Sequence, residues 1–166
     1  VDVYPDAPEL DDTLDNDCDV FIDADFFVVG DVRGNELMAN PEAVADSVGE
    51  WFELANTSDR EVNLIGWTLS DGGLDSLVID AEAIIEPGGF IVFAANADPS
   101  ENGGVDVDYP YAYGDFMLSN TGDQIDLSML DDTLVSFAWT DSTSGASMGF
   151  GGYPSDGGGD EDNWCS

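Results

Sequence analysis

The sequence predicts an all-β sandwich, and three observations support that prediction. Short apolar or alternating runs recur between residues 26 and 139, separated about every eight to twelve residues by clusters of Gly, Asn, Asp and Pro. Only residues 41–47 suggest a helical turn, and so short a helix is unstable alone. The chain has 166 residues, of which 43% are hydrophobic, which fits one domain with a real core.

The predicted strands follow one another along the chain. Residues 26–32 are apolar and rich in β-branched side chains. In residues 50–55 the alternation places Phe52 and Leu54 on one face, and we expect Phe52 or its neighbour Trp51 in the core. The other predicted strands are 61–64, 67–70, 77–79, 84–85, 90–94, 124–127 and 134–139.

Composition divides the chain into three parts. Residues 1–25 are an Asp-rich lead-in that we expect to be irregular and tied down at Cys18. Residues 26–150 form the predicted sandwich. Residues 151–166 are a Gly- and Asp-rich tail that Trp164 and Cys165 would anchor again. The chain starts without Met or a signal peptide, so we expect a mature or trimmed product.

Charge is the strongest compositional signal. There are 37 acidic residues against two basic ones and no His, so the formal net charge is −35. Such a surface repels nucleic acids and anionic lipids and suits cations, cationic surfaces or a salty medium. No apolar run approaches the roughly 20 residues that span a bilayer, so membrane insertion is not expected. Acidity as a solubility device and acidity for cation binding both stay open.

The two cysteines, Cys18 and Cys165, lie near opposite ends of the chain. In an exported protein an even count predicts a disulfide. This one would close nearly the whole chain into a loop, worth roughly 5 kcal/mol in the chain-entropy model. Two unrelated thiols are the alternative, and a zinc site is not expected because only carboxylates could complete it.

Four short motifs resemble, in order and spacing, the lamin-tail domain family. They are residues 49–56 (GEWFELAN), 66–71 (GWTLSD), 87–92 (PGGFIV) and 118–123 (LSNTGD), and residues 36–41 (ELMANP) are similar to the first-strand motif of bacterial members. The resemblance covers about residues 26–150 and implies an immunoglobulin-like β-sandwich. It also implies an accessory module of an exported or surface protein, without catalytic residues.

Two parts of the chain depart from the family pattern. Residues 33–35 (RGN) interrupt the expected first strand, and Gly34 predicts a bulge or break there. The lead-in lies outside the shared core. It is similar to the calcium-binding Asp repeats of thrombospondin type 3 segments, without their full repeat.

Calcium is the cofactor we expect, because hard cations take carboxylate and carbonyl oxygens. The candidate ligands fall in three stretches: Asp15, Asp17 and Asp19; Asp98, Asp106 and Asp108; Asp160 and Asp162. A disulfide between Cys18 and Cys165 would bring the first and third stretches together, and their mutual repulsion would then favour cation binding. The alternative is a solvated acidic surface.

The sequence favours binding or assembly over catalysis. There is no His for general acid–base chemistry and no phosphate-binding Gly loop, and no carboxylate pair is singled out for glycosidase chemistry. The first hypothesis is an extracellular or cell-surface module that binds a protein or polysaccharide partner with calcium support. The alternative is self-association as a subunit of an extracellular fibre or coat, with the apolar stretch between Phe21 and Val29 donated to a neighbour as a strand.

Overall fold

The computed structural model describes residues 3–10, 12, 14–19, 21–22, 26–73, 75–130 and 132–150, and the backbone of two short strands nearer the C terminus. The elements are β1 (Val32–Met38), α1 (Asp46–Gly49), β2 (Trp51–Asn56), β3 (Val62–Asn63), β4 (Thr68–Ser70), β5 (Ser76–Val78), β6 (Ile84–Ile85), β7 (Phe90–Ala94), β8 (Tyr109–Pro110), β9 (Asp123–Met129), β10 (Asp132–Trp139), β11 (Met148–Phe150), β12 (Gly158–Gly159) and β13 (Trp164–Cys165).

The strands form two main sheets, which confirms the predicted immunoglobulin-like sandwich. A six-stranded sheet has the order β13-β11-β1-β2-β7-β8, and a five-stranded sheet has the order β12-β10-β9-β4-β5. A small third sheet pairs β3 with β6. The edge strands β5 and β8 are only three and two residues long, which limits pairing with other chains. No helix in the described part of the chain is long and apolar enough to cross a membrane.

Alternating side chains produce this architecture. In β2, Phe52 and Leu54 are fully buried while Trp51 and Glu53 are half-buried on the other face, as the alternation predicts. Strands β9 and β10 alternate in the same way, and they supply Ile125, Leu127 and Phe137 to the core. The period of two therefore places one face of each sheet inside.

Aromatic rings fill the centre of the sandwich. The rings of Phe52 and Phe93, neighbours on β2 and β7, stack with their centroids 5.0 Å apart. Phe116 and Tyr111 meet edge to face at 5.9 Å on the same side of the core. Such pairs add roughly 0.5–1.5 kcal/mol each to the burial of the rings.

The first strand begins later than predicted. The expected strand at residues 26–32 is wrong except for Val32, because backbone pairing with β2 starts only there. The register of this pairing shifts between Gly34 and Glu36, which confirms the predicted bulge. A Cβ at position 34 would lie 2.7 Å from the ring of Phe137 on the opposite sheet, so only glycine lets the ring pack there.

The residues before β1 dock on their own domain. The ring of Phe27 meets the buried ring of Trp67 edge to face, with centroids 5.3 Å apart. Arg60 forms an ion pair with Asp31, donates a hydrogen bond to the carbonyl of Phe26, and lies over the Phe27 ring at 5.2 Å. The N-terminal arm, defined as residues 26–31, is thus bound to the sandwich rather than extended from it.

Three short elements were missed and one was shifted. The helical turn predicted at residues 41–47 is α1, displaced toward Gly49. Strands β8, β11 and β12 lie in stretches that the sequence predicts as loop. They were missed because strands of two or three residues give no detectable alternation. At residues 164–165 the backbone returns to the sandwich, where β13 pairs with β11, and the anchoring of the tail by Cys165 stays a prediction.

Candidate binding and cation sites

A groove opens at one end of the outer face of the six-stranded sheet. Met38 ends β1, Trp51 starts β2, and Ala94 ends β7, and these three residues are register partners across the sheet. Since their neighbours Leu37, Phe52 and Phe93 are fully buried on the inner face, the row of Met38, Trp51 and Ala94 faces outward.

We call this feature the Trp51 groove. It has a volume of about 450 Å³, within the range of small-ligand sites. Its lining is mainly apolar and comes from Met38, Pro41, Val44, Trp51, Gly103 and Val105, with Glu42 and Asn102 among the polar side chains. Sequence reasoning left open whether Trp51 belongs to the core. The structure assigns that place to Phe52 and leaves Trp51 half-buried in the groove.

One wall of the groove is a loop held by Asn102. This side chain is 3% exposed. Its Nδ2 donates to the carbonyls of Asn96 and Val105, both at 2.9 Å, and its Oδ1 accepts the N–H groups of Gly104 and Val105 at 3.0 and 2.9 Å. Because the amide is satisfied inside the loop, it shapes the wall and is not available to a ligand.

The opposite wall is the segment between β1 and α1. Pro41 and Val44 pack against the backbone of Gly49, where a Cβ would lie 2.9 and 2.4 Å from their side chains. The carbonyl of Asn40 accepts the N–H of Gly145 at 2.8 Å, which fastens the segment to the chain before β11. Both walls are therefore built by internal contacts.

The acidic lead-in brings three carboxylates together. Oxygens of Glu9, Asp15 and Asp17 all lie within 4.8 Å of one another, and no other group of three acids does so in the described residues. Asp15 and Asp17 are predicted ligands, whereas Glu9 was missed because it lies outside the alternating Asp motif. Asp19 does not join them: its N–H donates to Asp15 Oδ1 and Asp17 Oδ1, and its own Oδ1 accepts the N–H of Phe21.

Hydrogen bonds fold the lead-in around Asn16. Glu9 Oε1 accepts the N–H groups of Asn16 and Asp17 at 2.8 and 3.0 Å. Asn16 is fully buried, and its Oδ1 accepts the N–H of Leu10 at 2.7 Å. Partial desolvation raises the pKa of Asp17, and the carboxylates of Asp19, Glu9 and Asp15 add to this rise. The carboxylates around Asp17 therefore oppose its ionised form, as expected where acids lie close together.

The second predicted cluster does not converge. Asp98 Oδ1 accepts the N–H and hydroxyl of Ser100, and this hydroxyl hydrogen bond is the main cause that lowers the pKa of Asp98. Asp108 Oδ2 accepts the N–H of Val92 at 2.8 Å, which closes the edge of β7. Asp106 is exposed. Asp98 and Asp108 accept hydrogen bonds from nearby groups, and the three acids form no carboxylate group within 4.8 Å among the described residues. The cation site in this stretch stays a prediction.

The structure describes only part of the third predicted cation cluster and of the predicted disulfide. Asp160 and Asp162 lie outside the described residues. Cys18 is an exposed free cysteine, and of Cys165 the structure describes only the backbone, in β13. The disulfide between the two cysteines stays a prediction.

A further acidic group, unnoticed in the sequence, is buried at the start of β2. Glu50 is 1% exposed, its Oε2 accepts the N–H of Leu118 at 2.9 Å, and its Oε1 has no hydrogen-bond partner. Burial, followed by the nearby Asp46 and Asp123 carboxylates, raises the pKa of Glu50 to about 8. With no basic neighbour to neutralise it, the carboxyl group is mostly protonated at neutral pH.

The comparisons with known proteins give one result. A search of curated proteins finds no significant match. The family model described as Lamin Tail Domain matches residues 28–141, well over half of the chain, from within the N-terminal arm to just past β10. With its immunoglobulin-like fold and this match, the chain belongs to the lamin tail domain family.

Proposed function

We propose that this protein is a non-catalytic recognition module that acts outside the cell or on its surface, where it binds a protein or polysaccharide partner with support from calcium. The observation that carries the proposal is the Trp51 groove, an outward-facing aromatic site with walls already built. Lamin tail domains are structural, immunoglobulin-like modules that mediate protein interactions in general. The lack of His in the sequence also favours binding over acid–base chemistry.

Support from calcium is proposed for the lead-in. Three carboxylates that lie within 4.8 Å of one another repel each other, and a hard cation with oxygen ligands relieves that repulsion. The carboxylates of Glu9, Asp15 and Asp17 would be the ligands. Calcium would then stabilise the lead-in, and through Phe21, which packs against the core, the sandwich as well.

Retention on natural surfaces tests recognition. The labelled domain is incubated with intact cells and with isolated secreted material, and the bound fraction is measured for the native chain, Trp51→Ala and Phe90→Ala. We expect native binding that Trp51→Ala abolishes. Phe90 is the matched control, because it is a 54% exposed aromatic residue on the same sheet at the far end of β7. Absence of binding by the native chain to every surface contradicts the proposal.

A calcium titration at constant ionic strength tests the cofactor. Calorimetry should show saturable binding for the native chain that is lost in the double variant Asp15→Asn and Asp17→Asn. Asp59→Asn, an exposed acid on another loop, serves as the control and should bind as the native chain does. If sodium at equal ionic strength gives the same heat, the acidic lead-in is a solubility device.

The fibre or coat subunit is less well supported. Donation of the apolar stretch would require Phe27 to leave Trp67 and Arg60 to leave Asp31, contacts that the arm makes within its own domain. Negative-stain microscopy at high protein concentration with calcium distinguishes the two functions. Small separate particles agree with recognition, whereas filaments would establish assembly.

A further inference from the structure

The chemistry of the Trp51 groove restricts what can bind there. Its lining is mainly apolar, and the best-placed amide, Asn102, is fully engaged inside its own loop. A neutral sugar is held by several convergent hydrogen-bonding side chains, and the described lining residues offer few of them, since Asn102 is already engaged. An apolar side chain of a partner could instead lie against Trp51 and Val44 without leaving polar groups unpaired.

Acidic side chains surround this apolar surface. Glu42 lines the groove, and the loop that forms the Asn102 wall exposes Asp98, Glu101 and Asp106. The two basic residues of the chain are elsewhere. Arg33 is the register partner of Ala55 at the far end of β2, roughly 13 Å from Trp51 at about 3.3 Å per residue.

Arg60, the second basic residue, is engaged at that same far end. It pairs with Asp31, whose backbone carbonyl accepts the N–H of Thr57 just after β2. The field at the groove is therefore negative. A second copy of this chain, with 37 acidic residues and no Lys, is repelled from the groove, as is an acidic polysaccharide.

We propose that the Trp51 groove binds an extended segment of a basic protein, with one apolar side chain against Trp51 and flanking Lys or Arg side chains beside Glu42 and the acidic loop. This inference rests on the proposed recognition function and specifies its partner. The apolar side chain provides contact area in a preformed site, so little ordering cost opposes binding. The flanking charges raise the association rate and select against acidic partners.

Synthetic peptides test the partner chemistry. The probes are short peptides with a central Leu or Phe flanked by Lys and Arg, the same peptides with Glu in place of the basic residues, and basic peptides with Ser at the centre. Binding is measured by calorimetry and by the NMR signal of the Trp51 indole N–H, which is identified by its loss in Trp51→Phe. We expect only the basic peptides with an apolar centre to bind, more weakly as salt increases.

Matched variants test the place of binding. Trp51→Ala should weaken binding about tenfold or more, as expected for a central aromatic contact, and Phe90→Ala should leave the affinity unchanged. Glu42→Gln, which keeps the size of the side chain, should weaken binding of the basic peptides by a few-fold and reduce its salt dependence. A thermal melt of each variant shows that it is folded.

Several results overturn the inference. Equal binding of basic and acidic peptides refutes the role of charge, and unchanged affinity in both Trp51→Ala and Glu42→Gln places binding elsewhere. No peptide binding, together with Trp51-dependent retention on polysaccharide, refutes the basic partner while recognition stands. No peptide binding and no retention on any surface refutes both proposals.

Discussion

The lead-in and the sandwich are stabilised by opposite kinds of interaction. In the described part of the lead-in, the buried residues are Ala7, Glu9 and Asn16, of which Glu9 and Asn16 accept backbone N–H groups, while the side chains of Tyr4 and Leu14 are about half exposed. In the sandwich, most buried groups are apolar and aromatic, with Glu50, Asn56 and Asn102 among the buried polar residues, and backbone groups pair between strands. Changes in ionic conditions should therefore alter the stability of the lead-in, and substitutions that disturb packing should alter the stability of the sandwich.

The largest expected effect comes from breaking the aromatic core. Phe52→Ala removes a fully buried ring that stacks on Phe93 and should lower the free energy of unfolding by about 3–5 kcal/mol. Denaturant unfolding followed by near-UV circular dichroism measures this. Phe90→Ala, at an exposed position, should change it by less than about 0.5 kcal/mol. Similar losses in both variants would contradict the assigned core.

Glu50 is the buried acid in the described part of the sandwich, and the pH dependence of stability tests its role. Since its folded pKa is about 8 and its ordinary value 4.5, the folded state binds this proton more tightly. Stability should therefore fall as pH rises from about 4.5 to about 8, with a slope of at most about 1.4 kcal/mol per pH unit, and then level off. Glu50→Gln keeps an acceptor for the N–H of Leu118 without a charge, so it should reduce the loss of stability with rising pH.

Two points make the pH test specific. Asp123 also has a raised pKa, through burial first, so a small slope of the same sign should remain in Glu50→Gln. The exposed Glu86 is the control, and Glu86→Gln should keep the native pH profile. If Glu50→Gln retains the full native slope, the buried carboxyl group is not its source.

A smaller effect is expected where the two regions meet. Arg60→Ala removes the ion pair with Asp31, the hydrogen bond to Phe26 and the contact with the Phe27 ring, and should cost roughly 1–2 kcal/mol. Hydrogen exchange should rise in residues 26–31 more than in β9. Arg60→Lys keeps the charge and loses the planar guanidinium, so its loss of stability should lie between those of the native chain and Arg60→Ala. Uniform exchange in the variant would show that the arm is not a separate unit.

The smallest global effect is expected in the lead-in. Asn16→Ala removes the acceptor for Leu10 and should expose the backbone of residues 4–17 to exchange. The free energy of unfolding of the sandwich should change by less than about 0.5 kcal/mol, because the variant touches no core ring. A large loss of global stability would show that the two regions fold together.

The sequence predicts the sandwich well because its signal is periodic. The alternation in residues 50–55 indicates both the strand and its faces, and Gly34 marks the bulge. It predicts the lead-in poorly, because carboxylates can accept hydrogen bonds from many backbone groups. Nothing in the order of residues shows that Glu9 joins Asp15 and Asp17. The same holds for the loop after β7, where Asp98 accepts hydrogen bonds from Ser100 and Asp108 accepts the N–H of Val92. The Trp51 groove likewise depends on two loops whose path has no periodic signal.

The placement of the two arginines has a consequence for proteolysis. Trypsin-like proteases cut after Lys or Arg, so this chain offers them only Arg33 and Arg60. Arg33 lies within β1, paired on the sheet, and Arg60 is bound to the N-terminal arm. Cleavage at either bond needs local unfolding of the region that joins the arm to the sandwich. The long acidic loops, although exposed, contain no site for this protease class, so the folded domain should resist trypsin-like proteases that cut most exposed loops.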